Sequence, residues 1–357
     1  MYTKSPRHVT FILFDGIHNS VFHSQVLTPL RARLEKNNAS SVTLISFEKK
    51  IPSVQEQQRL IPPHERLQTN FLRRTPFFGL LSLRPAIWKL RRLLATITSD
   101  HIIARGAFAG YIALKAIGRA HNLQHLTIQA RGLCAEEYRF MLEHQAKRKG
   151  LLPFERLRYH LFNNIEHATY SQKKPRYLRE IYSIEAVSPA LKEYLVERFD
   201  ADATKITIAR DDIPPAINPA TLKKWKASMR AKLNIPSHAI VVCYSGSGKS
   251  WQCGKETVEY VAKFYQKNDK VFLLILSQDK QFFSQLLTQS SLPTSNYLVT
   301  SIHPDEIIHY LAAGDIGMLL RDNDVVNWVS RPTKLLEYVA AGLEIIHNNT
   351  IGLLTEK

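Results

Sequence analysis

Short apolar runs alternate with helix-length amphipathic stretches along this chain, and they do so in two separate series. The first run, His8-Val9-Thr10-Phe11-Ile12-Leu13-Phe14, is continuous rather than alternating, the mark of a strand buried on both faces. A loop follows, Asp15-Gly16-Ile17-His18-Asn19-Ser20. Then come a helical stretch from Phe22 to Lys36 and a second strand, Val42 to Phe47. Strand, helix and strand in that order require a crossover between parallel neighbours. The unit recurs: strand His101–Ala104, helix Ala109–Ala120, strand His125–Gln129, mainly helical chain from about Pro153 to Ser171, strand Glu185–Ser188, helix Pro189–Arg198 and strand Lys205–Ala209.

Between Ile213 and Pro236 the composition changes. Pro214, Pro215, Pro219 and Pro236 bracket a basic helix, Leu222–Leu233, which reads as a linker. The second series then begins with strand Ala239–Tyr244, helix Lys255–Gln266 and strand Val271–Ser277. It continues with helix Gln281–Gln289, strand Tyr297–Thr300, helix Pro304–Ala313 and strand Asp315–Leu320. Helix Lys334–Ala341 and strand Glu344–His347 close it. Two such arrays predict an α/β protein of two Rossmann-like, doubly wound domains facing a cleft. The expected boundaries are 1–213, a linker at 214–236, and 237–357. A chain of 357 residues exceeds what one core usually organises, which agrees with this division.

Composition narrows the function classes. No apolar run is long enough to cross a bilayer, and the opening MYTKSPRHVTFILF lacks the long apolar stretch and small-residue cleavage site of a signal peptide. The expected location is the cytoplasm, with the inner face of the membrane as a secondary site. Cys134, Cys243 and Cys253 have no paired metal-ligand spacing and read as reduced thiols, so no metal site is expected. The formal charge of +17 implies polyanionic company: nucleic acid, anionic headgroups or phosphorylated substrates.

Two segments carry phosphate chemistry. In Asn327–Leu343, Pro332 suits the first turn of a helix whose free N–H groups form an anion site. Lys334 adds a full positive charge there, and Glu337, one turn on, can accept hydrogen bonds from ribose hydroxyls. An ordinary amphipathic helix with a proline start has the same spacing. The second segment, Tyr244-Ser245-Gly246-Ser247-Gly248-Lys249-Ser250, ends like a P-loop, but Cys243 stands where that pattern needs glycine. Its alternative reading is a P-loop NTPase or kinase using Gly248-Lys249-Ser250. A basic nucleic-acid-binding protein is the other rival, although no nucleic-acid module is recognisable.

The Asn327–Leu343 segment resembles the donor-binding motif of the family 4 glycosyltransferases, enzymes of the GT-B fold. Further stretches resemble that family in the same order. They are Gly16–Ser20, Ser24-Gln25-Val26, Leu44–Lys49, Ile102–Arg105, Arg131–Glu137, Ala186–Leu191, and Ile302–Glu306 continuing to Leu320-Arg321. The resemblance implies transfer of a sugar from a nucleotide-diphosphate donor, UDP- or GDP-linked, with retained anomeric configuration and no cofactor. It implies a role in cell-envelope polysaccharide or lipopolysaccharide synthesis. Donor-binding roles fall to Gly16, Gly246, Ser247, Arg321, Ser330, Thr333, Lys334, Leu335 and Glu337, and charge stabilisation of the leaving diphosphate to Lys249, Lys334 and Arg131. On the acceptor side stand His18, Arg105, Glu136 and Glu137. The sequence departs from the family at Val329, where the first acid of a pair is expected, and at Ser247 and Gln252, where an Arg and a Lys are common. The family continues with further helices after the strand matching Glu344–His347, so the second domain is expected to be short.

The segment Asn70–Ile97 mixes Phe71, Phe77, Phe78, Leu81, Trp88 and other apolar residues with six cations and no acid. Two readings stand: peripheral contact with an anionic membrane, or a helix packed on the sheet with a solvated basic face. Lys147-Arg148-Lys149 and Lys173-Lys174 add positive charge nearby in sequence. Expected partners are thus the nucleotide-sugar donor, a glycan or lipid-linked acceptor, and no specific nucleic acid.

Overall fold

The computed structural model describes residues 8–19, 21–36, 39–117, 123–146, 149–210 and 213–354. Ser20, Lys147, Arg148 and the last residues of the expected helix Ala109–Ala120 lie outside these. The chain divides into two compact units, Met1–Asp212 and Ile213–Lys357.

The first unit is built on a seven-stranded sheet. Its strands are β1 (His8–Leu13), β2 (Ser41–Glu48), β3 (Leu67–Arg73), β4 (His101–Arg105), β5 (His125–Ala130), β6 (Tyr182–Ala186) and β7 (Ile206–Ile208). They lie in the order β3-β2-β1-β4-β5-β6-β7, every pair parallel. The second unit has β8 (Ile240–Ser245), β9 (Val271–Leu276), β10 (Tyr297–Thr300), β11 (Ile316–Leu319) and β12 (Glu344–His347). Their order is β10-β9-β8-β11-β12, again all parallel. In both sheets the order reverses beside the first strand, so a crevice opens at the carboxyl end of β1 and of β8.

Burial on both faces explains the continuous apolar runs. Along β8, Val241 and Cys243 pack with Leu274, Leu335 and Tyr338 on one side, while Val242 and Tyr244 pack with Val258, Ile275 and Phe283 on the other. Gly317 of β11 makes room for this: a methyl group there would sit 2.5 Å from the Tyr338 ring.

The helix within the segment 214–236 spans Pro219–Lys232 and packs on the second unit. Met229 is buried in that unit's core. Asp315, just before β11, receives Lys226 Nζ at 2.5 Å, Arg230 Nη2 at 2.7 Å and the Val241 N–H at 2.7 Å. Burial alone would raise the Asp315 carboxyl, but these donors and charges together hold it below its ordinary value.

The stretch Asn70–Ile97 differs from a single helix. It begins in β3, an edge strand with mostly part-exposed residues, then makes a turn at Leu80–Leu83 and a helix at Arg84–Leu94. Ala86, Leu90 and Leu94 of that helix are buried, while its basic residues Arg91 and Arg92 are exposed. The helix Cys134–Ala146 is a further element that the sequence reading did not assign. Pro332 also differs from expectation: it stands one residue outside the helix Thr333–Ala340, in extended conformation.

Candidate functional site

The crevice of the second unit collects most of the expected donor residues. β8 ends at Ser245 and passes directly into Gly246, whose φ of 147° is accessible to glycine and rare for other residues. A methyl group on Gly246 would touch Lys334 Nζ and Gln252 Oε1, each at 3.4 Å. The glycine therefore leaves the space in front of the Lys334 amine unfilled.

Lys334 is the second residue of the helix Thr333–Ala340 and only 6% exposed. Its Nζ lies 4.4 Å from the centre of the Tyr244 ring and has no hydrogen-bond partner among the described residues. Gln252 Oε1, on the other side of Gly246, is likewise buried without a partner. Burial and the neighbouring Arg321 hold the Lys334 amine well below its ordinary basicity. Arg321 is itself 7% exposed, and burial lowers its basicity too. Its main chain is fixed by Asn348, which accepts from the Arg321 N–H at 3.2 Å and donates to its carbonyl at 2.7 Å.

Glu337 is half-buried one turn beyond Lys334. Burial pushes its carboxyl up to about 7, against the lowering pull of Lys334 and of a hydrogen bond with the Ser245 side chain. The Ser245 N–H donates to the Tyr338 hydroxyl at 2.9 Å, which ties this helix to the end of β8. The site thus presents two buried cations, an open glycine and a carboxyl group one helical turn away.

Other expected donor residues are placed differently. The Leu335 side chain belongs to the core, and its N–H already donates to the Pro332 carbonyl at 3.0 Å. The Ser330 hydroxyl donates to the Asn327 carbonyl at 2.8 Å. Thr333 opens the helix. Val329 is buried, so an acid there would need a partner. Ser247 contributes its carbonyl, which accepts from the Tyr244 hydroxyl at 2.8 Å. Lys249 is exposed, its Nζ 5.3 Å from the Trp251 ring centre.

The loop also departs from a P-loop. Cys243 is buried within the strand, and the Gly248 N–H donates to Asp279 at 2.8 Å. The next α-helix begins only at Gly254. A P-loop cradle needs those amides free and the helix starting at the Gly-Lys-Ser end.

In the first unit the expected residues gather near the carboxyl ends of β1, β2, β4 and β5. Gly16 has φ of 81°, and a methyl group there would meet Glu48 Oε2 at 2.5 Å. Glu48, at the end of β2, accepts from the Ile17 N–H at 2.9 Å and from the Ser46 hydroxyl at 2.5 Å, fixing the loop. His18 is exposed and lines a cavity of about 490 Å³ together with Asp15, Asn19, Lys49, Lys50 and Arg74. Arg105 is buried and donates to Gln25, which sits on a π-turn. Arg131 pairs with Glu185 at 3.1 Å. Glu136 is engaged by Arg139 at 2.8 Å and by the Tyr159 hydroxyl at 2.7 Å, whereas Glu137 is exposed and folds over Gly132. Among the described residues, no group of three or more His, Cys, Asp or Glu side chains is placed to hold a metal ion.

Tyr244 is the site residue that sequence reading missed. It ends an apolar strand and reads there as core; only the approach of Lys334 from a helix 90 positions later gives its ring a second role.

Two parallel-sheet units of this order define the GT-B fold. Comparison with solved structures agrees. The chain is similar to WaaG, a glycosyltransferase involved in lipopolysaccharide biosynthesis, with TM-score 0.60 and 15% identity over 97% of this chain and 82% of that one. It is similar to HepE from Anabaena in complex with UDP and glucose, with TM-score 0.60 and 13% identity over 97% and 82%. It is also similar to sucrose-phosphate synthase from Thermosynechococcus elongatus, with TM-score 0.62 and 16% identity over 97% and 82%. No protein-family model matches the chain, and no curated protein matches it by sequence.

Proposed function

We propose that this chain is a glycosyltransferase that takes a hexosyl group from a nucleoside-diphosphate sugar, with UDP as the first candidate carrier. The observation that carries the reading is Lys334: a buried amine without a hydrogen-bond partner, beside Arg321 and facing the space that Gly246 leaves open. Two buried cations repel one another and gain strongly from a shared anion. A diphosphate supplies that anion. Charge developing on the leaving diphosphate would be met by Lys334 and Arg321 already in place, which is electrostatic stabilisation of the transition state. Glu337, one turn further along the helix, is assigned to the ribose hydroxyls of the same nucleotide.

The reading also draws on the fold. WaaG is described as acting in lipopolysaccharide biosynthesis and HepE binds UDP and glucose. By analogy with them, and only by analogy, the acceptor is a glycan of the cell envelope. The charged cavity lined by His18, Lys49 and Arg74 is the candidate acceptor subsite. Retention of configuration and cytoplasmic action complete the proposal; both follow from the family resemblance.

A thermal-shift panel of UDP, GDP, ADP, CMP and dTDP with their sugar conjugates tests it, because a ligand of the folded state raises the melting temperature. A shift with one nucleoside diphosphate that disappears in Lys334→Met is the expected result. A shift with Mg-ATP alone, lost in Lys249→Ala, would move the assignment to an NTPase.

A further inference from the structure

At the amino ends of β6 and β7 the first unit carries a second cavity. Parallel strands require each connecting helix to run back against them, so helices end where the next strand begins. The helix Pro153–Tyr170 does so: the hydroxyl of Tyr182, the first residue of β6, donates to the Thr169 carbonyl at 2.6 Å. The helix Pro189–Phe199 ends beside it, and the Gln172 N–H donates to the Asp200 carbonyl at 2.9 Å. Between these helix ends lies a cavity of about 560 Å³, within the range of about 300–1,000 Å³ that small-molecule sites occupy. The cavity lined by His18 opens at the other, carboxyl end of the same sheet.

Cations dominate this second lining. Lys173, Lys174, Arg179 and Lys205 stand against Asp200 and Asp202. Both acids are already engaged by the chain's own turns. Asp200 accepts from Gln172 Nε2 at 2.9 Å, and Asp202 accepts from the Thr204 N–H at 2.9 Å and the Thr204 hydroxyl at 2.6 Å. Helix carboxyl ends attract cations in their own right, and Lys174 answers that need. Its Nζ donates to the Ala168 carbonyl at 3.1 Å and to the Ser171 carbonyl at 2.5 Å. That role accounts for one cation of the four. Burial, and a further cation at Lys115, push the Lys174 amine down to about 8. An anion in the cavity would relieve the repulsion among these groups.

The lining also limits what the anion can be. Its one large apolar side chain, Tyr182, is 5% exposed, with Lys174 Nζ 5.1 Å from the ring centre. A hydrocarbon group therefore gains little here. Four cations less two acids leave a surplus of two positive charges, which is the charge of a phosphate monoester dianion. Arg179 offers a planar fork of donors that matches phosphate oxygens, and the lysines add point charges. A single carboxylate would leave half of the surplus unmatched.

We infer that the cavity lined by Lys173, Lys174, Arg179 and Lys205 binds a small phosphorylated solute, a sugar phosphate or a short polyphosphate, apart from the crevices at the carboxyl ends of the sheets. The inference rests on neither the donor site nor the sugar-transfer reading.

The test is calorimetric titration of the full chain with glucose 6-phosphate and with inorganic pyrophosphate, with glucose as the control. Performed also in Lys334→Met, it excludes binding at the buried lysine of the second unit. One-to-one, saturable binding of either phosphate, retained in Lys334→Met and absent for glucose, is the expected result. Arg179→Ala combined with Lys205→Ala should weaken it roughly tenfold or more with an unchanged melting temperature, because each removes a charge-assisted contact. Lys49→Ala combined with Lys50→Ala, in the other cavity of this unit, should leave it unchanged. Binding of glucose 6-phosphate alone would identify the ligand as a sugar phosphate, and of pyrophosphate alone as a polyphosphate. No binding of either up to about 10 mM overturns the inference. So does equal affinity in the Arg179 and Lys205 double variant, or a loss confined to the Lys49 and Lys50 variant. Binding of a generic oligonucleotide alone, abolished by salt, would reduce the cavity to diffuse attraction for polyanions and overturn it as well.

Discussion

Lys334 Nζ sits 4.4 Å from the centre of the Tyr244 ring and has no hydrogen-bond partner among the described residues. The ring face offers a partial counter-charge, worth about 2 kcal/mol when desolvated, which is less than the cost of burying an unpaired ammonium. Without a ligand, the site therefore holds its lysine at the expense of stability.

That expense is measurable. The folded amine is less basic than the unfolded one, so between the two pKa values the unfolded chain binds more protons and stability rises with pH. Lys334→Met removes the term. The variant is expected to be more stable than the parent at neutral pH, on the order of 1–4 kcal/mol, with the gap closing as pH approaches about 10. Urea unfolding at several pH values checks both the sign and the closing gap.

Glu337 makes the nucleotide site itself pH-dependent. Its carboxyl is pushed up to about 7, so it loses its charge and half its acceptor capacity as pH falls through that value. UDP affinity should weaken as pH drops through about 7, and Glu337→Gln should bind more weakly above that pH with a flatter profile. Titration of UDP across this range by fluorescence or calorimetry is the check. A profile identical in the two proteins would separate Glu337 from the ribose.

Gly16 combines a positive φ with a close approach. Any side chain there carries backbone strain and meets Glu48 at 2.5 Å. Gly16→Ala is expected to cost about 1–3 kcal/mol and to lower the melting temperature by several degrees. Because the Glu48 clamp holds the loop that carries His18, turnover should fall with it.

Asp315 anchors the Pro219–Lys232 helix to the second unit through Lys226, Arg230 and the Val241 N–H. Its folded carboxyl is below the ordinary value. The resulting stability is fully present above about pH 4, the unfolded value, and is lost as pH falls through the folded one. Asp315→Asn should destabilise by about 1–3 kcal/mol at neutral pH and show a shallower acid limb. Melting temperatures measured between neutral and acid pH test this.

The sequence made the parallel strands legible because both of their faces are buried, which leaves continuous apolar runs such as Val271–Leu276. β3 was not legible for the opposite reason. Leu67-Gln68-Thr69-Asn70-Phe71-Leu72-Arg73 is an edge strand with half-exposed side chains, and its polar residues hide the period. β6 shows the same limit: it runs from Tyr182 to Ala186, earlier than the expected Glu185–Ser188, because buried and half-exposed residues alternate along it. In the candidate site, Lys334, Gly246 and Glu337 could be named from local spacing and resemblance. Tyr244 and the engagement of Glu136 by Tyr159 could not, since both arise from contacts between distant segments. Lys249 was attractive on pattern alone, and its exposure over Trp251 is a tertiary outcome.

The central claim is that Lys334 meets the diphosphate of the donor. Calorimetric titration of UDP at about pH 8 in buffers of different ionisation enthalpy tests it most directly, because the diphosphate is fully ionised there while the uracil keeps its proton, and a depressed lysine paired with an anion must regain its proton. The predicted result is net proton uptake on binding by the wild-type protein, absent together with most of the affinity in Lys334→Met. UDP binding with equal affinity and no proton uptake in both proteins would contradict the account.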